Sequence, residues 1–398
     1  LQNDADLLVK TTFLLRIACK QVDEHTLKMF GVKATSLKSL FTKPKGSGWN
    51  SIIVYINNHK EDLGLSHLNS ILLLIKDWNS KNKRGSTTQN ASQIALFYYE
   101  KIADDGGFGY GSRDLEKNII ETILNGATEI KDELSTIADD VISKKLTHHR
   151  DKYHELIEAM LSSSYSTVEV AQAIPIKMLQ LANLFWSKDE DEEDDGYSPR
   201  IGVEGSFGIT ENRQAYFPAS SYQTPIYMLL RFAPKETIDF ILNFTNKSVI
   251  TYSKSELSEN EIREVEVFIQ DGLPIKQYMS NRLWEMYRGT HVSTSLLESM
   301  HMALEKWLLE YAKTASNEEL EALCIYLLKN SKSASISAVV TSVVLANPEK
   351  LFNVAVILFK TKEFFLYDTG RLLKDRSRKS DLLMLRNSYP SNDYENEF

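Results

Sequence analysis

Two cysteines in 398 residues, Cys19 and Cys324, cannot build a disulfide framework. Both lie in apolar, helix-patterned stretches, where a free thiol packs as a small hydrophobe. Such sparse usage fits a reducing compartment, so a cytoplasmic location is expected. Nine prolines and 17 glycines exclude collagen-like and low-complexity chains. Bilayer-spanning runs are also missing. The longest apolar stretches, such as Ile94 to Tyr99 and Val354 to Phe359, fall far short of the roughly 18 residues a membrane helix needs. No basic region followed by an apolar stretch and a small-residue cleavage site marks a signal peptide. The chain opens on Leu1 rather than Met and is expected to be a piece of a longer polypeptide.

Charge is uneven. The formal net charge is −8, and the run from Asp189 to Asp195 is seven consecutive acidic residues, so the remainder is close to neutral. Like charges in a block repel and stay solvated, which predicts an exposed linker. The run lacks the spaced oxygen ligands and turn glycine of an EF-hand loop. Basic residues gather near the other end, at Arg371, Lys374, Arg376, Arg378, Lys379 and Arg386. Asp375 and Asp381 dilute them and no aromatics interleave, so a solvated helix face is expected rather than a nucleic-acid patch.

Helical periodicity dominates what is present. Leu7, Leu8, Phe13, Leu14 and Ile17 form one apolar stripe, and Leu65, Leu68, Ile71, Leu72, Ile75 and Trp78 form another, with Ser66 as its expected cap. Further helices are predicted over 89–102, 115–124, 130–145, 153–161 and 167–186. Pro175 should kink or split the last of these, because it lacks a backbone donor and crowds the preceding turn. Residues 201–225 are glycine-rich and read as irregular. Helices are then predicted over 225–232, 235–246, 281–287, 293–312, 317–328, 336–345, 348–359 and 364–374. Ser293 is the expected cap of one, and Pro348 the expected first-turn proline of another.

The clearest strand signal is Glu264-Val-Glu-Val-Phe-Ile-Gln270, followed by Asp271-Gly272 and a return through Tyr278. Pro274 places the return strand at an edge. The whole pattern predicts an all-α chain, an irregular HEAT-like array of stacked helical hairpins with a small β-hairpin inserted at 264–278. Three regions are expected: a helical array over 1–186, an acidic and glycine-rich linker over 187–224, and a second array over 225–398. Glu264, Glu266, Gln270 and Lys276 are the residues expected to face outward and touch a protein partner, because an inserted hairpin with an unpaired edge offers both backbone groups and charges.

Four places carry residues of catalytic type. Gly106-Gly-Phe-Gly-Tyr-Gly111 resembles a phosphate cradle, but no Gly-Lys-Ser/Thr follows and no strand precedes it. Lys43-Pro-Lys-Gly-Ser-Gly48 has the wrong lysine order. His148, His149 and His154 form a cluster, yet Glu158 stands where a zinc-protease helix needs its second histidine. His291 and His301 lie near several serines without a G-x-S-x-G elbow. An enzyme domain of unrecognised type, using the turn at 106–111 or the cluster at 148–154, is the alternative to a binding role.

One block carries a family likeness. Ser280-Asn-Arg-Leu-Trp-Glu-Met-Tyr-Arg-Gly-Thr290, Ala303-Leu-Glu-Lys-Trp-Leu-Leu309, Asn347-Pro-Glu-Lys-Leu-Phe352 and Phe359-Lys-Thr-Lys-Glu-Phe-Phe-Leu-Tyr-Asp368 resemble segments of very large bacterial ATP-binding proteins. Those proteins are similar to STAND-type NTPases of the antiphage Avs kind, which join an effector, a P-loop NTPase and a long helical sensor array. The resemblance implies a non-catalytic sensor region that engages a protein. It also implies no cofactor in this chain and ATP chemistry elsewhere in a longer protein. No Walker motif is present here, so no family site residue is carried over.

Overall fold

Short joins between amphipathic segments dictate helices that pack on their sequence neighbours, and the computed structural model is built that way. It describes residues 48–63, 68–108, 113–163, 165–188, 203–210, 216–269, 274–289 and 293–374. The expected stripe at Leu7–Ile17, the cap Ser66, the acidic run, Gln270 with the Asp271-Gly272 turn, and the basic residues beyond Lys374 lie outside the described residues. So do Cys19, His291 and residues 43–47 of the first glycine-lysine segment. The described chain is mostly α-helical with one small antiparallel hairpin.

Two compact units divide it: Leu1–Met160 with Tyr165–Ile174, and Leu161–Ser164 with Pro175–Phe398. In the first unit the helices are α1 (Gly48–Asn58), α2 (Leu68–Lys81), α3 (Ser86–Asp104), α4 (Arg113–Asn125), α5 (Lys131–Lys144), α6 (His154–Leu161, its last residue in the second unit) and α7 (Val168–Ala173). Its centre is α3, which packs on α1, α2 and α4. Asn79 of α2 donates to Ser92 Oγ of α3 and to the Thr122 carbonyl of α4, both at 2.9 Å. Gly126 makes this close approach feasible. A Cβ there would stand 2.0 Å from Ser92 Oγ and 3.0 Å from Asn79 Nδ2.

Pro175 splits the expected helix 167–186 in two. Ile174 leaves helical geometry at φ −135°, as a residue before proline tends to, and α8 (Pro175–Trp186) opens the main stretch of the second unit. That unit therefore starts upstream of the boundary read from the acidic run. The reason lies at the end of α8. Trp186 donates through Nε1 to Tyr216 Oη at 2.7 Å and packs on Phe240 and Phe244. The Lys188 amide bonds the Gly208 carbonyl, and Thr210 bonds that of Trp186. Phe207 stacks on Tyr252 at 4.5 Å. The described parts of the expected linker are thus packed, and they include a short helix, α9 (Val203–Ser206).

The remaining elements are α10 (Ile226–Phe232), α11 (Pro234–Ser253), β1 (Arg263–Val267), β2 (Ile275–Met279), α12 (Asn281–Glu285), α13 (Ser295–Tyr311), α14 (Asn317–Asn330), α15 (Ala334–Ala346), α16 (Phe352–Phe359) and α17 (362–374). The core of the unit is α13, buried along most of its length against α10 and α15. Two expected starts are corrected. Thr294, not Ser293, caps α13, its hydroxyl accepting from the Leu297 amide, while the Ser293 amide is held by buried Glu298 at 3.0 Å. Pro348 does not open α16. Residues 348–350 form a turn and the helix begins at Phe352. At Gly289, φ is 59°, and a Cβ would meet Met302 Sδ at 2.8 Å, so the glycine there has both a conformational and a steric cause.

Gly126→Ala is expected to destabilise the first unit by about 1–3 kcal/mol, the usual cost of forcing extra volume into a packed site. Urea unfolding followed by circular dichroism measures it; an unchanged midpoint would show that the three-helix contact is looser than these distances.

Candidate functional site

The hairpin pairs Arg263 with Met279, Val265 with Gln277 and Val267 with Ile275. Period-two geometry then sends Val265, Val267, Gln277 and Met279 inward, and all four are buried. Glu264, Glu266 and Lys276 are exposed, on the outward face where the sequence pattern placed them. Glu266 lies directly opposite Lys276, yet the Lys276 ammonium reaches diagonally to Glu264 Oε2 at 3.1 Å. That carboxylate holds the Lys276 pKa above its ordinary value. The pair is well exposed on both sides, so it contributes little to folding. The outer face carries two carboxylates and one ammonium, beside partly exposed Phe268.

The return strand is not the open edge expected from Pro274. Its Tyr278 amide donates to the Lys332 carbonyl at 2.8 Å, a parallel bridge with the segment that leads into α15. Gln277 accepts from Ser337 Oγ at 2.6 Å and donates to the Leu328 carbonyl. On the other side, Thr361 Oγ1 donates to the Glu266 carbonyl at 3.3 Å. The hairpin is therefore clamped from α14, α15 and the α16–α17 turn.

Beneath it runs a polar chain that the sequence reading missed. His301 on α13 is fully buried; its Nδ1 lies 2.7 Å from the Leu297 carbonyl and its Nε2 2.9 Å from Ser335 Oγ. A carbonyl only accepts, so Nδ1 carries the proton and Nε2 accepts from Ser335. Ser335 has then used its hydrogen, and the 2.8 Å contact makes Ser333 the donor to Ser335. Ser333 also caps α15 by accepting from the Ser335 amide. The tautomer is the one a serine nucleophile would use. Both residues are sealed from solvent, however, so the arrangement holds α13 to α15 rather than meeting a substrate. The visible signal was the alternation Ser331, Ser333, Ser335, Ser337; the partner histidine lies 34 residues from Ser335.

In the first unit, two segments singled out for chemistry meet at one ring. Tyr99 packs on Phe108 of the glycine-rich turn at 5.7 Å and on Tyr153, next to His154, at 6.4 Å. Gly109 to Ser112 lie outside the described residues. Tyr153 Oη donates to Glu100 at 2.7 Å, and Lys152 pairs with Asp104. Burial, then the nearby Glu155 charge, pushes the Glu116 carboxyl up; burial does the same for Glu158, which His154 partly offsets. His148 and His149 stack on each other at 4.1 Å in the open, and His154 leans on Glu158 at 3.8 Å. These residues form an aromatic and carboxylate packing cluster. Among the described residues, no group of three or more His, Cys, Asp or Glu could hold a metal ion. Cys324 is buried, with its thiol pushed up to about 12 and so inert as a nucleophile.

No protein-family model matches the chain, and no curated protein matches it.

Burial depresses the His301 pKa from 6.5 to about 4. The unfolded chain therefore takes up this proton before the folded one does. The stability tied to the neutral ring is complete above pH 6.5 and is lost as pH falls from 6.5 toward 4, with a slope of about 1.4 kcal/mol per pH unit at most. In proton NMR the His301 ring signal should not titrate between pH 8 and 5, and a midpoint near its unburied value would contradict the sealed network.

Proposed function

We propose that this chain is a non-catalytic helical interaction or sensor region of a larger bacterial ATP-binding signalling or defence protein, acting in the cytoplasm through a protein partner. The observation that carries the reading is the hairpin. Its inward face is spent on anchoring, and its outward face offers Glu264, Glu266 and Lys276 to solvent on a clamped backbone. A clamped face loses little freedom on binding, which favours its use as a recognition surface. Charges arranged on such a face set partner choice and encounter rate more than raw affinity. Support for the non-catalytic part comes from the His301–Ser335 pair, which has catalytic tautomerism and no route to solvent. ATP binding belongs, on this reading, to a P-loop domain in the rest of a longer protein, as the resemblance of the 280–368 block implies. Nucleic acid is not the expected partner. Among the described residues, no helix is long and apolar enough to cross a membrane.

Replacing Glu264, Glu266 and Lys276 together with alanine should shift the thermal midpoint by no more than about 2 °C, as exposed sites do. The same variant should lose a partner that in-cell cross-linking attaches to the wild-type hairpin. Equal cross-linking by both proteins would move the interaction surface elsewhere. Calorimetry with ATP and the purified chain should show no saturable heat; saturable binding would overturn the assignment of nucleotide chemistry to another domain.

A further inference from the structure

One side holds α17 to its unit and the other is open. Phe364 packs against Trp284 at 4.9 Å, Trp284 Nε1 lies 3.4 Å from Asp368 Oδ1, Arg371 pairs with Asp368 at 2.8 Å, and Lys374 pairs with buried Glu285 at 2.6 Å. The opposite side carries Phe365, Leu366, Thr369, Leu372 and Leu373, all exposed. At 3.6 residues per turn these five fall on one stripe about 120° wide. Leu366 and Leu373 are 69% and 63% exposed. Thr369 Oγ1 donates to the Phe365 carbonyl at 2.8 Å, so the one polar member of the stripe is already satisfied. Phe365 stacks on Phe359 at 5.1 Å, which extends the patch onto α16. There Phe359 and Phe352, two turns apart on one face, are 62% and 69% exposed. A contiguous apolar patch of this size marks an interaction surface.

Gly370 points the same way. It sits inside α17, where a glycine weakens a helix relative to alanine. A Cβ there would meet nothing within 4 Å, and no positive φ calls for glycine. The packing of a single copy therefore gives no reason for it, whereas the close approach of a second backbone does. Thr369 and Gly370 together leave room for two helix axes to come near each other.

The order of residues along the stripe selects the partner. Leucines stand three residues from Thr369 on both sides, Leu366 and Leu372, and apolar residues stand four away on both sides, Phe365 and Leu373. Such a stripe is its own complement under a two-fold rotation, as a contact between identical chains requires. No charged residue lies between its ends on that side, so two copies meet there without like-charge repulsion. An aromatic side chain covers about 150–250 Å² and a leucine somewhat less, so the exposed shares of Phe352, Phe359, Phe365, Leu366, Leu372 and Leu373 come to about 600 Å². A standard interface takes about 800 Å² from each partner, part of it polar rim, and this face is of that order. We propose that α17 pairs antiparallel with α17 of a second copy of this chain, across a two-fold axis at Thr369 and Gly370. Leu366 of one copy then faces Leu372 of the other, and Phe365 faces Leu373. The face is distinct from the hairpin and stands independently of its role.

Sedimentation velocity of the full 398-residue chain at micromolar concentrations tests the pairing. A concentration-dependent dimer is expected. Leu366→Asp and Leu373→Asp together should leave only monomer, with helical circular dichroism unchanged. Gly370→Leu should weaken the dimer about tenfold or more. It should not lower the thermal midpoint of the monomer, because the space around its Cβ is open within one copy. Mild oxidation of Thr369→Cys should join two copies through a disulfide between their positions 369, mapped by peptide mass spectrometry. A wild-type chain that stays monomeric would overturn the proposal. A dimer that survives the two aspartates, or that Gly370→Leu leaves unchanged, would place the association elsewhere. A dimer without the 369–369 disulfide would contradict the two-fold axis.

Discussion

A two-stranded hairpin cannot hold its shape alone in water, and the most informative part of the second unit depends on how this one is held. The Tyr278 amide bonds the carbonyl of Lys332, and the Gln277 side chain is shared between Ser337 and Leu328. Two of these bonds reach Lys332 and Ser337, around the start of α15, and the third reaches Leu328 of α14, so the hairpin depends on how those helices are placed. The start of α15 is itself fixed by the serine chain that ends on His301 of α13. Two sets of hydrogen bonds thus converge on residues 332–337, one from buried His301 and one from the strand whose neighbour carries the exposed carboxylates. Buried polar groups are costly when unpaired, so each member constrains the rest.

That dependence also separates scaffold from surface. Two groups that resemble catalytic ones are interior: a histidine in the tautomer that would activate a serine, and a thiol pushed up to about 12. The pieces that reach solvent are a charged hairpin face and an apolar helical face. Surfaces of those two kinds suit recognition, one through charge and one through apolar burial. The aromatic cluster around Tyr99 in the first unit belongs with the scaffold, since Tyr153 stacks on Tyr99 and its hydroxyl is bonded to Glu100.

Much of the fold was legible in the residues. Apolar periodicity marked most of the described helices, though not α1 or α9, Pro175 marked the break between α7 and α8, and alternation marked Val265 and Val267 as inward. The outward positions of Glu264, Glu266 and Lys276 followed from the same alternation. What failed to show had long-range causes. The contact of Trp186 with Tyr216 turned part of an apparent linker into core, and nothing local in a glycine-rich stretch announces that. Thr294 rather than Ser293 caps α13, accepting from the Leu297 amide, while the Ser293 amide is held by Glu298. His301 found its serine in another helix, beyond the reach of any spacing rule. The exposed stripe of α16 was hidden by its composition, because a helix apolar on every side reads as fully buried.

Amide hydrogen exchange across residues 263–279 tests the central claim, that the hairpin is a fixed platform held through α15. The account predicts that the β1 and β2 ladder amides are protected to the same degree as the first turns of α15, and that Gln277→Ala lowers protection in both together. Exchange of the hairpin at the rate of an isolated two-stranded peptide, with α15 still protected, would contradict it.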